Sequence, residues 1–162
     1  MLNLHTGDCE HCLRSYRYSL WHCGFGENSY AYCDKCGMLA LLNYSNPVVA
    51  KLPELSVRYQ MIDAAWEPFL RRCACGGRFR QGAAPRCPGC RQEFSAEYAG
   101  RHIEANSRGA DRGWRWQMSW RGLYCMAVED PAHPGTLHQV IDPYYERPSV
   151  DVTARVEVLR AR

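Results

Sequence analysis

Ten cysteines occur in 162 residues, and eight of them fall into four close pairs, Cys9–Cys12, Cys33–Cys36, Cys73–Cys75 and Cys87–Cys90. This spacing constrains the chain more than anything else in it. Each pair brings two thiols into one tight turn, so any two pairs supply the four soft donors of a closed tetrahedral metal site. A disulfide framework has no need of such close pairing. Residues 1–20 show no basic segment followed by an apolar one, so the expectation is a chain without an export signal. Such a chain stays in the reducing cytoplasm, where thiols persist as thiols or as metal ligands. The cysteines therefore predict two bound zinc ions, with iron as the alternative for the same tetrahedral thiolate set.

Composition supports a folded globular chain. The hydrophobic share is 46%, and there is no low-complexity stretch to suggest disorder. No apolar run approaches the ~20 residues that a membrane span needs. Four thiolates and one divalent ion together carry −2, so two such sites lower the formal charge of +3 to about −1. That balance argues against a nucleic-acid binder driven by net charge alone.

In chain order, residues 9–37 predict a knuckle, a strand over 15–22, a turn at 23–28, a returning strand over 29–32 and a second knuckle. Antiparallel pairing of those strands would bring Cys9, Cys12, Cys33 and Cys36 around one ion. Gly37 follows the second pair, where a left-handed backbone lets amides point at the thiolates. Residues 7–42 resemble the zinc ribbon, a broad family of small β-hairpin metal modules. They depart from it at Leu13, where many ribbons carry glycine, which predicts a less regular first turn. Cys73, Cys75, Cys87 and Cys90 form the second set. It also resembles a ribbon, or the rubredoxin-like knuckle with proline (Pro88) after the first cysteine. The one-residue gap between Cys73 and Cys75 departs from the usual two. Sequential pairing is the simplest assignment. A cross-braced one, with Cys9 and Cys12 joining Cys73 and Cys75, needs long loops to cross.

Between the sets, residues 56–70 show weak helical character, and Pro68 stops any longer helix. Beyond them, Ser95 is placed to cap a helix over 96–105, ended by Asn106 and Gly109. Trp114, Trp116, Met118 and Trp120 alternate on one face of a strand. Residues 123–129 are apolar on both faces, which predicts a central strand. Residues 137–141 and the alternating valines Val150, Val152, Val156 and Val158 predict two more. The fold class is α+β: two zinc-ribbon-like β-hairpin modules (residues 1–46 and 71–92), joined by a connector with a short helix (47–70), then a helix and a small antiparallel sheet (93–162), packed as one unit.

A four-thiolate ion has no open position for water or substrate, so these sites predict scaffolding and no catalytic residue. Their contribution is folding energy, about 10–16 kcal/mol of apparent binding per site in small modules. His102 and Glu104 imitate the H-x-E of zinc deaminases, but the P-C-x-x-C that must follow precedes them here, so both read as exposed helix residues. His11 lies between two ligands and should point outward. Cys125 reads as a small buried hydrophobe, and Cys23 as a turn residue with only His22 nearby. Arg71, Arg72, Arg78, Arg80, Arg86 and Arg91 surround the second set with no acid among them. They are either a binding face for phosphate or an acidic protein, or a solvated rim that offsets thiolate charge. The tryptophans are core, or with Arg115 and Arg121 a stacking surface for bases.

The segment from Gly113 to Cys125 resembles the tail of small bacterial zinc-ribbon proteins, a similarity that implies no activity. Some compact, non-catalytic bacterial proteins guard their own cell by binding a toxin, so an immunity protein is one use of such a chain. The functional expectation is a non-enzymatic protein that binds a partner protein. The alternative is a nucleic-acid-binding ribbon protein using the arginine-rich second module.

Overall fold

The computed structural model describes residues 3–55, 57–106 and 122–144. Two cysteine turns set its plan. β1 (His5–Asp8) passes through the first turn into β2 (Ser15–His22), and β3 (Asn28–Cys33) passes through the second into β4 (Leu39–Asn43). Each strand thus pairs across its own turn, where chain closure is local. A single helical turn, α1 (Cys23–Gly26), separates β2 from β3, with Glu27 left-handed at φ 51° as its exit. The expected hairpin between residues 15–22 and 29–32 does not form: β2 and β3 lie in different sheets.

Both sheets are completed from downstream. β6 (Tyr124–Val128) adds antiparallel to β2, with Leu20 opposite Met126, to give the order β1-β2-β6. The second sheet has the order β5-β3-β4-β7, in which β5 (Phe79–Arg80) pairs antiparallel with β3 and β7 (Gln139–Ile141) runs parallel to β4. The strands expected to form a separate C-terminal antiparallel sheet are therefore shared out between two N-terminal ones. The expected tryptophan strand and the valine strand lie outside the described residues.

Period-two alternation on β3 and β4 explains the layering. Tyr30, Tyr32, Leu39 and Leu41 face one core, against Tyr16, Tyr18, Cys125, Met126 and Val128 of the first sheet. Ala31, Ala40 and Leu42 face a second core, closed by Leu52, Leu55, Ile62, Trp66, Phe69 and Leu70. The covering segment is extended, apart from 3-10 turns at Val49–Lys51 and Ala64–Phe69, so the weak helical signal there yields a tight turn with Pro68 inside it. Trp66 Nε1 donates to the Pro53 carbonyl at 2.7 Å and pins that layer.

β6 is apolar on both faces yet sits at the edge of its sheet, where it was expected to be central. Its open edge is sealed from the other sheet. The buried Tyr32 hydroxyl donates to the Met126 carbonyl at 3.0 Å and accepts from the Met126 amide at 2.9 Å. The His138 amide donates to the Val128 carbonyl, and the Tyr30 hydroxyl to the Gly122 carbonyl. An edge satisfied in this way tolerates apolar side chains.

α2 (Ala96–Asn106) forms where the sequence predicts it. The Ser95 hydroxyl accepts from the Tyr98 amide at 3.2 Å, a side-chain N-cap, and Asn106 Nδ2 donates back to the His102 carbonyl at 2.7 Å. Tyr98, Ala99 and Ile103 form its buried face. Among the described residues no helix is long and apolar enough to cross a membrane.

The Tyr32 hydroxyl holds both polar groups of Met126 in a dry core. Tyr32→Phe leaves them unpaired and is expected to cost about 1–3 kcal/mol. Urea unfolding of the metal-loaded protein should show a lower midpoint with an unchanged slope.

Candidate metal centres

All four cysteine turns share one backbone design. The first cysteine's amide donates past the turn: Cys9 to Arg14, Cys33 to Met38, Cys73 to Gly77 and Cys87 to Gln92, at 2.9–3.0 Å. Its carbonyl accepts from the residue directly after the second cysteine. That residue is left-handed in every case: Leu13 (φ 61°), Gly37 (φ 74°), Gly76 (φ 84°) and Arg91 (φ 65°). Leu13 makes the same turn as Gly37, so the first knuckle is regular despite lacking glycine. The short Cys73–Cys75 turn differs only in its amide-to-sulfur bond. Gly77 donates to the second thiol, Cys75, whereas His11, Lys35 and Gly89 donate to the first thiols Cys9, Cys33 and Cys87.

The eight expected ligands converge as two groups of four, with the Sγ atoms of each group all within 4.8 Å of one another. The groups are Cys9, Cys12, Cys87, Cys90 and Cys33, Cys36, Cys73, Cys75. This pairing is nested, neither sequential nor the cross-brace considered as its alternative. The first knuckle takes the last, and that outer site encloses the inner one along the chain. Sequential pairing seems economical because about 20 residues part Cys12 from Cys33, against a separation of 75 between Cys12 and Cys87. Loop-closure entropy grows only logarithmically, however, so the longer loop costs about 1 kcal/mol more. Strand pairing outweighs that. β5 lies on β3 with Phe79 opposite Cys33, which swings Cys73 and Cys75 onto the second knuckle. The Glu10 carboxylate accepts from the Ser95 amide and hydroxyl, and His11 Nε2 meets the Glu93 carbonyl at 2.8 Å, which docks the fourth knuckle on the first. His11 is exposed, as expected, and its ring also fastens the two knuckles.

The geometry fits a metal. Bonds of about 2.3 Å to a tetrahedral ion place sulfurs about 3.8 Å apart. Cys9–Cys90 and Cys12–Cys87 are 3.8 Å apart, Cys33–Cys75 3.5 Å and Cys36–Cys73 3.6 Å. These are contact distances between sulfurs, far longer than a disulfide bond. Electrostatics point the same way. The Arg14 amide holds Cys12 down to about 7, and the Cys36 thiol, with nearby amides, holds Cys33 down to about 5. Neighbouring thiols are pushed the other way. Cys36 is raised, first by its bond to Cys33, and burial lifts Cys73 to about 11 and Cys87 to about 12. Each group thus holds one thiol down while pushing others up, and a bound cation would favour the thiolate form.

The two sites touch through Arg86. Its Nη2 donates to the Asp34 carbonyl at 2.9 Å and to Glu93 at 2.7 Å, and its Nη1 to the Arg91 carbonyl. A Cβ on Gly37 would lie 2.6 Å from the Arg86 amide, so the second knuckle packs directly on the chain entering the fourth. Asp34 accepts from the Arg78 amide and from Arg80 Nε, and these two bonds, the amide first, hold its carboxyl below the usual range. Of the six arginines singled out in the sequence, Arg80 pairs with Asp34 and Glu67, Arg86 with Glu93, and Arg71 donates its amide to Pro143. Arg72, Arg78 and Arg91 are exposed and make no ion pair among the described residues. The stretch is thus part internal brace and part open charge.

His102, expected to be exposed, packs edge-on against Tyr98 and Tyr18, and its Nδ1 lies 3.0 Å from the Tyr18 hydroxyl. Burial lowers it below the usual imidazole range. It is a strut between α2 and β2, and among the described residues it belongs to no cluster of metal-ligating side chains. Cys23 and Cys125 are both buried, with their sulfurs 3.6 Å apart. The sequence reading separated them, because only the β2–β6 register, 102 residues apart in the chain, brings them together.

Residues 5–96, more than half of the chain, match the family described as a domain of unknown function (DUF8255), and the chain belongs to that family. The matched stretch holds all eight clustered cysteines. No curated protein and no solved structure matches the chain.

Gly77 tests the inner site. A Cβ there would lie 2.5 Å from Cys33 Sγ, 2.8 Å from Lys35 Cβ and 2.9 Å from Asp34 Oδ1. Gly77→Ala and Cys33→Ser are each expected to lower metal content from two ions per chain toward one, by elemental analysis. Cys87→Ser should remove the other ion.

Proposed function

We propose, for this member of the DUF8255 family, a non-enzymatic role in which two zinc ions build a surface that binds a partner protein. The observation that carries the reading is ligand number: each group offers four sulfurs from the chain itself, enough to fill a tetrahedral ion. Catalytic zinc keeps a coordination position open for water or substrate, and these sites keep none. Zinc is preferred to iron because it holds a tetrahedral thiolate site without redox chemistry.

The partner-facing surface of this proposal is the knuckle rim. Leu13 stands 78% exposed at the tip of the first knuckle, and the Arg14 side chain lies along Gly89 of the fourth. Arg72, Arg78 and Arg91 supply exposed positive charge on the same group of turns. An exposed apolar residue on the first knuckle, with exposed arginines on the third and fourth, suits an acidic protein surface with an apolar centre. Inhibition of a toxin, the immunity-type use, is one member of this class.

The same three arginines favour a second reading, nucleic-acid binding. Two features weigh against it: Arg80 and Arg86 are spent on internal carboxylates, and loaded sites bring the net charge close to zero.

Affinity capture with the metal-loaded chain separates the readings. The expected result is a protein partner retained after nuclease treatment and lost with the Leu13→Asp, Arg91→Glu double variant, which should still hold two ions. Binding to DNA or RNA that falls steeply with salt would replace this reading with the second one.

A further inference from the structure

Two of the ten cysteines have no place in either metal centre, and the fold puts them in contact. Cys23 ends the run of β2 into α1, and Cys125 lies on β6. Their Sγ atoms are 3.6 Å apart, and both residues are buried in the core between the two sheets, beside Tyr30 and Tyr32. The register is firm at this point: Trp21 faces Cys125, His22 faces Tyr124, and the Cys23 amide donates to the Leu123 carbonyl at 2.8 Å. Cys23, the first residue of α1, thus extends the β2–β6 register by one position, opposite Leu123 and diagonal to Cys125. The sulfurs are already in contact, and a disulfide needs them closer, at about 2.0 Å.

We propose that Cys23 and Cys125 form a dithiol–disulfide couple, an oxidation site independent of the metals that locks β2 to β6. The oxidant class is a low-molecular-weight disulfide. One Cys thiolate attacks it to give a mixed disulfide and release one small thiol. The second Cys thiolate then attacks the protein sulfur, forms the Cys23–Cys125 bond and releases the other small thiol. Two electrons pass from the protein to the small disulfide, and the two cysteine protons leave on the two released thiols. The metal centres take no part. Their sulfurs are also close together, but each is held by an ion, whereas this pair holds nothing but its protons.

Burial governs the rate of this step. The pair reacts when the first residues of β6 open, and Leu123 and Tyr124, both half-buried, are the part of the strand nearest solvent. Once formed, the bond ties residues 102 apart, and the loop it closes contains six of the eight clustered cysteines, with Cys9 and Cys12 outside it. The oxidised chain therefore has the end of β2 tied to β6 independently of the ions.

The test uses the metal-loaded full chain and glutathione disulfide. After incubation the protein is denatured, alkylated and weighed intact. The expected result is eight alkylated thiols in place of ten, two ions per chain retained before denaturation, and one cross-linked peptide joining Cys23 to Cys125. The thermal midpoint of the oxidised form should rise by about 10 °C. The Cys125→Ala variant, checked for two bound ions, should keep all nine of its thiols. Ten alkylated thiols after prolonged incubation, a stable glutathione adduct, cross-links among the metal cysteines with loss of ions, or loss of two thiols in Cys125→Ala would each overturn the proposal.

Discussion

Sulfur held against sulfur at long range is the constraint on which this fold depends. Four short turns, each individually simple, must meet in two groups, and the groups join residues far apart in the chain. The hydrophobic layers are thin between them. β5 is two residues long and the covering segment over Leu42 and Ala40 is largely extended. Such elements do not assemble on propensity alone. Ions held by the two groups would supply the ligation energy that the short strands lack, and the strands in return decide which turns meet.

Much of this was legible in the residues. The eight ligands, the capped helix over 96–105 and the strands over 15–22 and 123–129 follow from spacing, capping chemistry and alternation. Connectivity was not, for a physical reason. Spacing specifies a knuckle but not its partner, and loop entropy discriminates too weakly to choose one. The choice lies in long-range details: Phe79 opposite Cys33, and Glu10 reaching Ser95. The resemblance to a zinc ribbon therefore holds for the individual knuckle and fails for the hairpin, because β2 and β3 never pair. The same blindness hid Cys125 behind Cys23 and made β6 look central when a tyrosine from the neighbouring sheet supplies its missing partner.

Positive charge around the sites divides along the same lines. Arg86 and Arg80 are engaged by carboxylates and, for Arg86, by backbone carbonyls of the knuckles. Arg72, Arg78 and Arg91 are left to the solvent. A run of arginines without intervening acids therefore serves two tasks that composition cannot separate, and only the strand register distributes residues between them.

Nested closure has a consequence for how the polypeptide can be made. During synthesis the first knuckle emerges with its two thiols and waits some 75 residues for the turn that completes its cage. The inner cage is finished earlier, when Cys75 appears. Until then neither of the two final groups of four is complete, and a fragment cut between the second and third knuckles carries half of each cage and the whole of neither. The chain cannot be divided into two self-sufficient modules, because its beginning is sealed only by its later residues.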